Sequence, residues 1–125
     1  MLPNRQHTSY KPEYWGGIEC TINRVNDRFL DQLHCAGHYQ RGDDIDRIAE
    51  LGITKLRYPV LWEKHQPDYD VVPEWGYTVQ RLDQIRKHNI VPIAGLLHHG
   101  SGPSFTNLAD DNFPTLFAAY ASAVA

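Results

Sequence analysis

Residues 51–63, Leu-Gly-Ile-Thr-Lys-Leu-Arg-Tyr-Pro-Val-Leu-Trp-Glu, and residues 89–102, Asn-Ile-Val-Pro-Ile-Ala-Gly-Leu-Leu-His-His-Gly-Ser-Gly, decide the fold. Each stretch opens where a helical pattern stops, at Gly52 and at Asn89, and continues as a short apolar run. The runs end in side chains suited to chemistry: Arg57, Trp62 and Glu63 in the first, His98 and His99 in the second. In parallel β/α proteins ligands bind beyond the C-terminal ends of the strands. Two successive strands with polar groups at that end read as adjacent staves of one site.

The segments between these runs are helical in pattern. Residues 42–52 place Ile45, Ile48 and Leu51 on one face, with Asp43 as the expected cap, acidic residues in the first turn and Gly52 as the left-handed stop. Residues 75–88 space Trp75, Val79, Leu82 and Ile85 for a second helix, and Asn89 ends it. The strands expected between and beyond them are 53–61 and 90–97, with a proline-bearing loop over 63–73 and a Gly/Ser/Pro/Asn-rich loop over 98–111. Asn112 then caps a third helix, 113–125, with Phe113, Leu116, Phe117, Tyr120 and Val124 along one side.

Further upstream, residues 15–21 read as a first strand, although its glycines weaken it unless close packing requires them. Residues 23–41 form a long connection with one helical turn near 29–33, and loops of that length are commonly functional. Residues 1–13 are a polar, extended lead-in, and residues 14–125 form one unit. Alternation of strand and helix, with short helix-to-strand turns, marks an α/β protein with a parallel sheet. The last helix runs to Ala125 without a glycine or a charged final turn, so the chain reads as a fragment of a larger fold.

With 22% charged and 42% apolar residues, the 125-residue chain has the composition of one small globular domain. A net charge of −3 carries no basic footprint for nucleic acid. Cys20 and Cys35 make no disulfide framework, no signal peptide opens the chain, and no apolar run is long enough to span a bilayer, so no membrane partner and a cytoplasmic location are expected. His34, Cys35 and His38, with Cys20 or His99, match no zinc spacing; they read as solvated loop residues, and neither metal nor cofactor is expected.

Several stretches together resemble family 1 glycoside hydrolases, the β-glucosidase family. Residues 37–41 (Gly-His-Tyr-Gln-Arg), Asp44-Ile45 and residues 50–53 resemble its first helix region. Residues 56–67 are similar to its second strand, Tyr-Arg-Phe-Ser-Ile-Ser-Trp-x-Arg-x-x-Pro, and residues 93–99 to its third, which ends in His-Trp. Trp15-Gly16 through Asn23 resembles the first strand. The resemblance covers most of residues 14–125 and implies the N-terminal part, about three βα units, of a (β/α)8 TIM barrel that hydrolyses O-glycosyl bonds with retention. That family uses a glutamate in Asn-Glu-Pro after strand four and another in Glu-Asn-Gly after strand seven. Neither motif occurs here, so the catalytic pair is expected beyond Ala125 and this chain by itself is expected to be inactive.

The resemblance assigns His98 to a sugar hydroxyl, Arg57 to the position under the nucleophile, and Asn23 to the place of a sugar-binding Gln. His99 replaces the usual Trp, Leu61 a Ser and Lys64 an Arg. The implied partners are a carbohydrate substrate and the rest of the barrel. The wording of residues 15–25 and 98–103 is also similar to a divergent branch in which such a domain precedes a dTDP-4-dehydrorhamnose reductase-type domain. The alternative function is therefore non-hydrolytic sugar binding or scaffolding.

The residues themselves leave choices open. Glu19 and Glu63 fall at strand ends, and retaining glycosidases hold two carboxylates about 5–5.5 Å apart. The simpler reading makes Glu63 a rim carboxylate pairing with Arg57 or Lys64, and leaves Glu19 as a substrate-binding candidate because a carboxylate among Gly, Ile and Cys needs a reason. Trp62 and Trp75 offer sugar-stacking faces, but Trp75 fits the apolar face of its helix. An arginine directed into a barrel requires a carboxylate partner. Three strands of an unclosed barrel leave open edges, so the isolated chain is expected to be poorly soluble or oligomeric.

Overall fold

The computed structural model describes residues 11–18 and 21–125. Strand β1 (Trp15–Gly17) is followed by β2 (Ile22–Val25), β3 (Arg28–Asp31), a helical turn α1 (Gln32–Cys35), α2 (Asp44–Ala49), β4 (Lys55–Pro59), a second helical turn α3 (Trp62–His65), α4 (Gly76–Lys87), β5 (Val91–Gly95) and α5 (Phe113–Val124). Strands β1, β4 and β5 form a parallel sheet in sequential order, with Gly17 opposite Arg57 and Arg57 opposite Ile93.

Helices α2 and α4 cover one face of this sheet. Leu56 and Tyr58 point to that side and pack with Ile45, Ile85 and Ile90 into a core whose members are at most 3% exposed. Because strand side chains alternate, Arg57 goes to the opposite face, which no helix covers among the described residues. At Gly16 a Cβ would stand 2.6 Å from Ile53 Cδ1 and 3.3 Å from Leu56 Cδ1, so side chains, rather than a neighbouring backbone, supply the close approach that the first strand needs. Gly52 (φ +74°) and Asn89 (φ +57°) take the left-handed conformation and turn the chain from helix to strand.

Several expectations are corrected. The 23–41 connection is an antiparallel hairpin, with Ile22 opposite Asp31 and Asn26-Asp27 at its tip, both at positive φ (50° and 56°). Two consecutive positive φ values match the right-handed twist of flanking strands. The helical turn lies at Gln32–Cys35, and Asp31 caps it by accepting from the His34 N–H at 3.1 Å. Asp43 holds the N-cap position of α2 as expected, but its carboxylate makes no capping hydrogen bond and takes Arg47 Nε instead at 2.7 Å. Because α2 ends at Ala49, Leu51 falls in the turn and is 72% exposed.

Of the apolar stripe expected on α4, Ile85 is buried in the core and Leu82 packs partly against it, but Val79 faces outward at 48% exposure and the rest of the buried face is Thr78 and Arg81. Arg81 is tolerated inside because its guanidinium donates to Arg41 O at 2.8 Å, Gly42 O at 3.3 Å and the Tyr77 hydroxyl at 2.9 Å. No helix among the described residues is long and apolar enough to cross a membrane.

Candidate functional site

Pro59 has no N–H to donate, and β4 ends there, but the chain stays beside β5 through Val60 N–H to Gly95 O (2.8 Å) and Trp62 N–H to Leu96 O (3.0 Å). This brings the segments after the two strands together. A small depression forms at their C-terminal ends, lined by Ile18, Arg57, Leu61, Gly95, Leu97 and His98. Arg57 and His98, two candidates from different strands, therefore meet in one place. The depression holds about 30 Å³, room for a water or two and too little to enclose a larger molecule.

The His98 carbonyl accepts from Thr21 Oγ1 at 3.4 Å, which ties this edge to the chain entering β2. His99 is exposed at φ +52°, an uncommon conformation for a residue with a Cβ, and its ring centroid lies 3.9 Å from that of His98. The turn holds the two imidazoles close together, their planes tilted by 45°, beside the depression.

The other candidates lie elsewhere. Asn23 is exposed on the hairpin, opposite Leu30, and lines a separate surface with Val25, Arg28 and Phe29. Glu19 falls outside the described residues. Trp62 is only 1% exposed and cannot be a sugar platform. Its ring is packed by Phe105, Phe113, Phe117 and Tyr120 with centroids 5.6–5.9 Å away, and its Nε1 donates to Gln66 Oε1 at 2.9 Å. Trp75 precedes α4 and is half-buried, stacked on Tyr120 and tilted against the His65 ring with centroids 4.7 Å apart.

Glu63 is not a rim carboxylate. It is 6% exposed, and neither carboxylate oxygen has a hydrogen-bond partner among the described residues. Lys64 turns away from it, over the Tyr39 ring and 3.5 Å from Asp31. Burial pushes the Glu63 carboxyl up to about 7. The amides of Glu63 and Gly102 and the charge of Arg24 oppose that shift, but less strongly than burial drives it.

His38, expected to be solvated, is 3% exposed. Its Nδ1 lies 2.7 Å from Asp44 Oδ2 and its Nε2 lies 2.9 Å from the Tyr58 hydroxyl. With Asp44 accepting the Nδ1 proton, Nε2 accepts from the phenol. The Arg41 guanidinium, followed by His38, holds the Asp44 carboxyl down at about 2, and burial pushes the Tyr58 phenol up. A cavity of about 50 Å³ adjoins Tyr58, Tyr39 and Tyr77. The phenol oxygens already meet His38 Nε2, Asp31 Oδ2 and His38 O respectively, so this network reads as a brace between α2 and β4.

No group of three or more His, Cys, Asp or Glu side chains is placed to hold a metal ion among the described residues. Comparison of the chain with protein-family models, with curated proteins and with solved structures finds no match in any of the three.

Proposed function

We propose that this chain is the N-terminal part of a (β/α)8 barrel of the glycosidase type and binds carbohydrate at the C-terminal ends of β1, β4 and β5. The observation that carries the reading is the convergence of Arg57 and His98 on one depression there. The sequential parallel order of the three strands supports it. A guanidinium offers a fork of donors and an imidazole can donate or accept, which suits vicinal hydroxyls on a sugar lying across the mouth. Without either glutamate motif, the chain binds sugar without cleaving it. A cytoplasmic setting accords with the exposed free thiol of Cys35.

Phenyl β-glucoside titrated into the labelled protein is expected to shift amide signals around Arg57 and His98. Arg57→Ala is expected to weaken binding about tenfold or more, as loss of a charged donor does, and His98→Ala less. No shift at these positions removes the carbohydrate reading, and release of phenol contradicts its non-hydrolytic part.

Asn23 and Trp62, two side chains that a glycosidase would turn to sugar, lie on another surface and in an aromatic core. That favours, as the second reading, a sugar-binding or scaffold domain attached to a dTDP-4-dehydrorhamnose reductase-type enzyme. Preferential binding of a dTDP-linked sugar over the simple glucoside distinguishes it.

A further inference from the structure

Glu63 is buried with its carboxylate near the amide of Gly102, in a segment of which Ser101, Gly102, Pro103 and Thr106 are also buried. The Ser101 N–H donates to His98 O at 3.1 Å, so this segment begins at the edge of the Arg57–His98 depression. Arg24 clasps it from β2. Its Nη1 donates to Pro103 O at 2.9 Å and Thr106 O at 2.8 Å, and its Nη2 reaches Ser104 O at 3.4 Å. Its Nε and Nη2 also bind Asp27 Oδ1 at 2.9 and 2.7 Å. The guanidinium thus makes four hydrogen bonds, three of them to carbonyls of this segment, besides its ion pair with Asp27.

We propose that the charge on Glu63 controls how residues 101–106 are seated, and through them the Arg57–His98 site: the neutral acid keeps the segment down, and the carboxylate loosens it. The link to binding rests on the carbohydrate reading above; the seating of the segment does not. An ionised carboxylate at this depth must gain water or a cation. Water that reaches the carboxylate beside the Gly102 amide meets this segment, and Arg24, the cation that favours ionisation, can turn to Glu63 only by releasing the carbonyls that hold the segment. Either route undoes the same contacts.

The charged and titratable groups facing Glu63 are Arg24 of β2, which favours its ionisation, Asp31 at the end of β3, which opposes it, and the Tyr120 phenol of α5. Lys64 and His65 follow it on α3, and residues 101–106 contribute no ionisable side chain. Burial places the transition near neutrality.

The test is amide hydrogen exchange at Ser101, Gly102 and Thr106, corrected for intrinsic rate, at pH 6 and pH 8. Protection in the wild type is expected to fall about tenfold across this interval, the ratio that ionisation of one linked group near the midpoint gives. In Glu63→Gln it stays level. Equal protection at both pH values in the wild type, or the same fall in Glu63→Gln, overturns the proposal. If the variant does not fold, infrared titration of the wild type decides: a buried protonated-carboxyl band lost near neutrality together with protection supports it, and absence of that band at pH 6 overturns it. Phenyl β-glucoside is titrated under both conditions, with weaker binding expected at pH 8. Undiminished binding at pH 8 despite lost protection overturns the control of the site. Absence of binding at both pH values, with the exchange transition intact, sinks the carbohydrate reading alone.

Discussion

Asp44 and Glu63 each stand in the first turn of a short helix, one beside the aliphatic core and one beside the aromatic core, and their environments push them in opposite directions. The Asp44 side chain keeps 16% of its exposure and meets Arg41 at both oxygens and His38 at one. Glu63 is deeper and meets no hydrogen-bond donor among the described residues. One acid is held near 2 and the other near 7. Partners, more than burial, decide which charge state a withdrawn carboxyl adopts.

The largest effect is expected at Glu63. Its folded value lies above the unfolded one, so the folded chain holds the extra proton between about 4.5 and 7 and stability falls as pH rises through that window. The loss amounts to about 3 kcal/mol. Glu63→Gln is expected to remove it, so urea unfolding at pH 5 and pH 8 would show the variant gaining on the wild type at the higher pH. Identical pH profiles would mean that the acid is hydrated after all.

Asp44 has the opposite sign. Its folded value is depressed, so its contribution is complete above about 3.8 and disappears as pH falls toward about 2. Solvent around the half-exposed Arg41 screens the pair, so Asp44→Asn is expected to cost at most about 2 kcal/mol at neutral pH. The variant is also expected to lose the wild type's acid sensitivity in that window. Unfolding at pH 7 and pH 3 measures both, and equal acid sensitivity in the two proteins would assign it to other carboxylates.

Tyr58→Phe sharpens the same comparison from the far end of the chain of bonds. It deletes the donor to His38 Nε2 without disturbing Arg41 or Asp44. A loss of about 1–2 kcal/mol in urea unfolding is expected for one buried partner left unmatched. No loss would place water in the adjoining cavity as a replacement donor.

What the sequence discloses follows from how local each determinant is. The stops at Gly52 and Asn89 and the apolar runs after them are properties of a few adjacent residues, and both residues take positive φ. The hairpin also had a local signal, since Asn26-Asp27 between residues of strand propensity suits a two-residue turn. Trp62 is different. Its burial depends on Phe105, Phe113, Phe117 and Tyr120, all remote in sequence, and nothing near position 62 announces them. Arg81 likewise looks like a solvent-facing helix residue until Arg41 and Gly42 bring their carbonyls to it. That Arg57 and His98 lie close together was readable because each belongs to one of two successive strand segments that pair side by side. Glu63 was readable as polar, but its isolation was not, because that depends on where residues as remote as Gly102 and Tyr120 fall.

The hairpin also bears on chain entropy. Pairing β1 with β4 closes an interval of 40 residues, spanned by the Thr54 to Tyr14 bond. Closure cost rises only with the logarithm of the free length, and within that interval Ile22 and Asp31 already lie side by side. The hairpin thus removes its own contour from the length that β1 and β4 must bridge. Residues inserted between Asn26 and Asp27 would lengthen the tip of the hairpin and leave the span that the parallel sheet has to close unchanged.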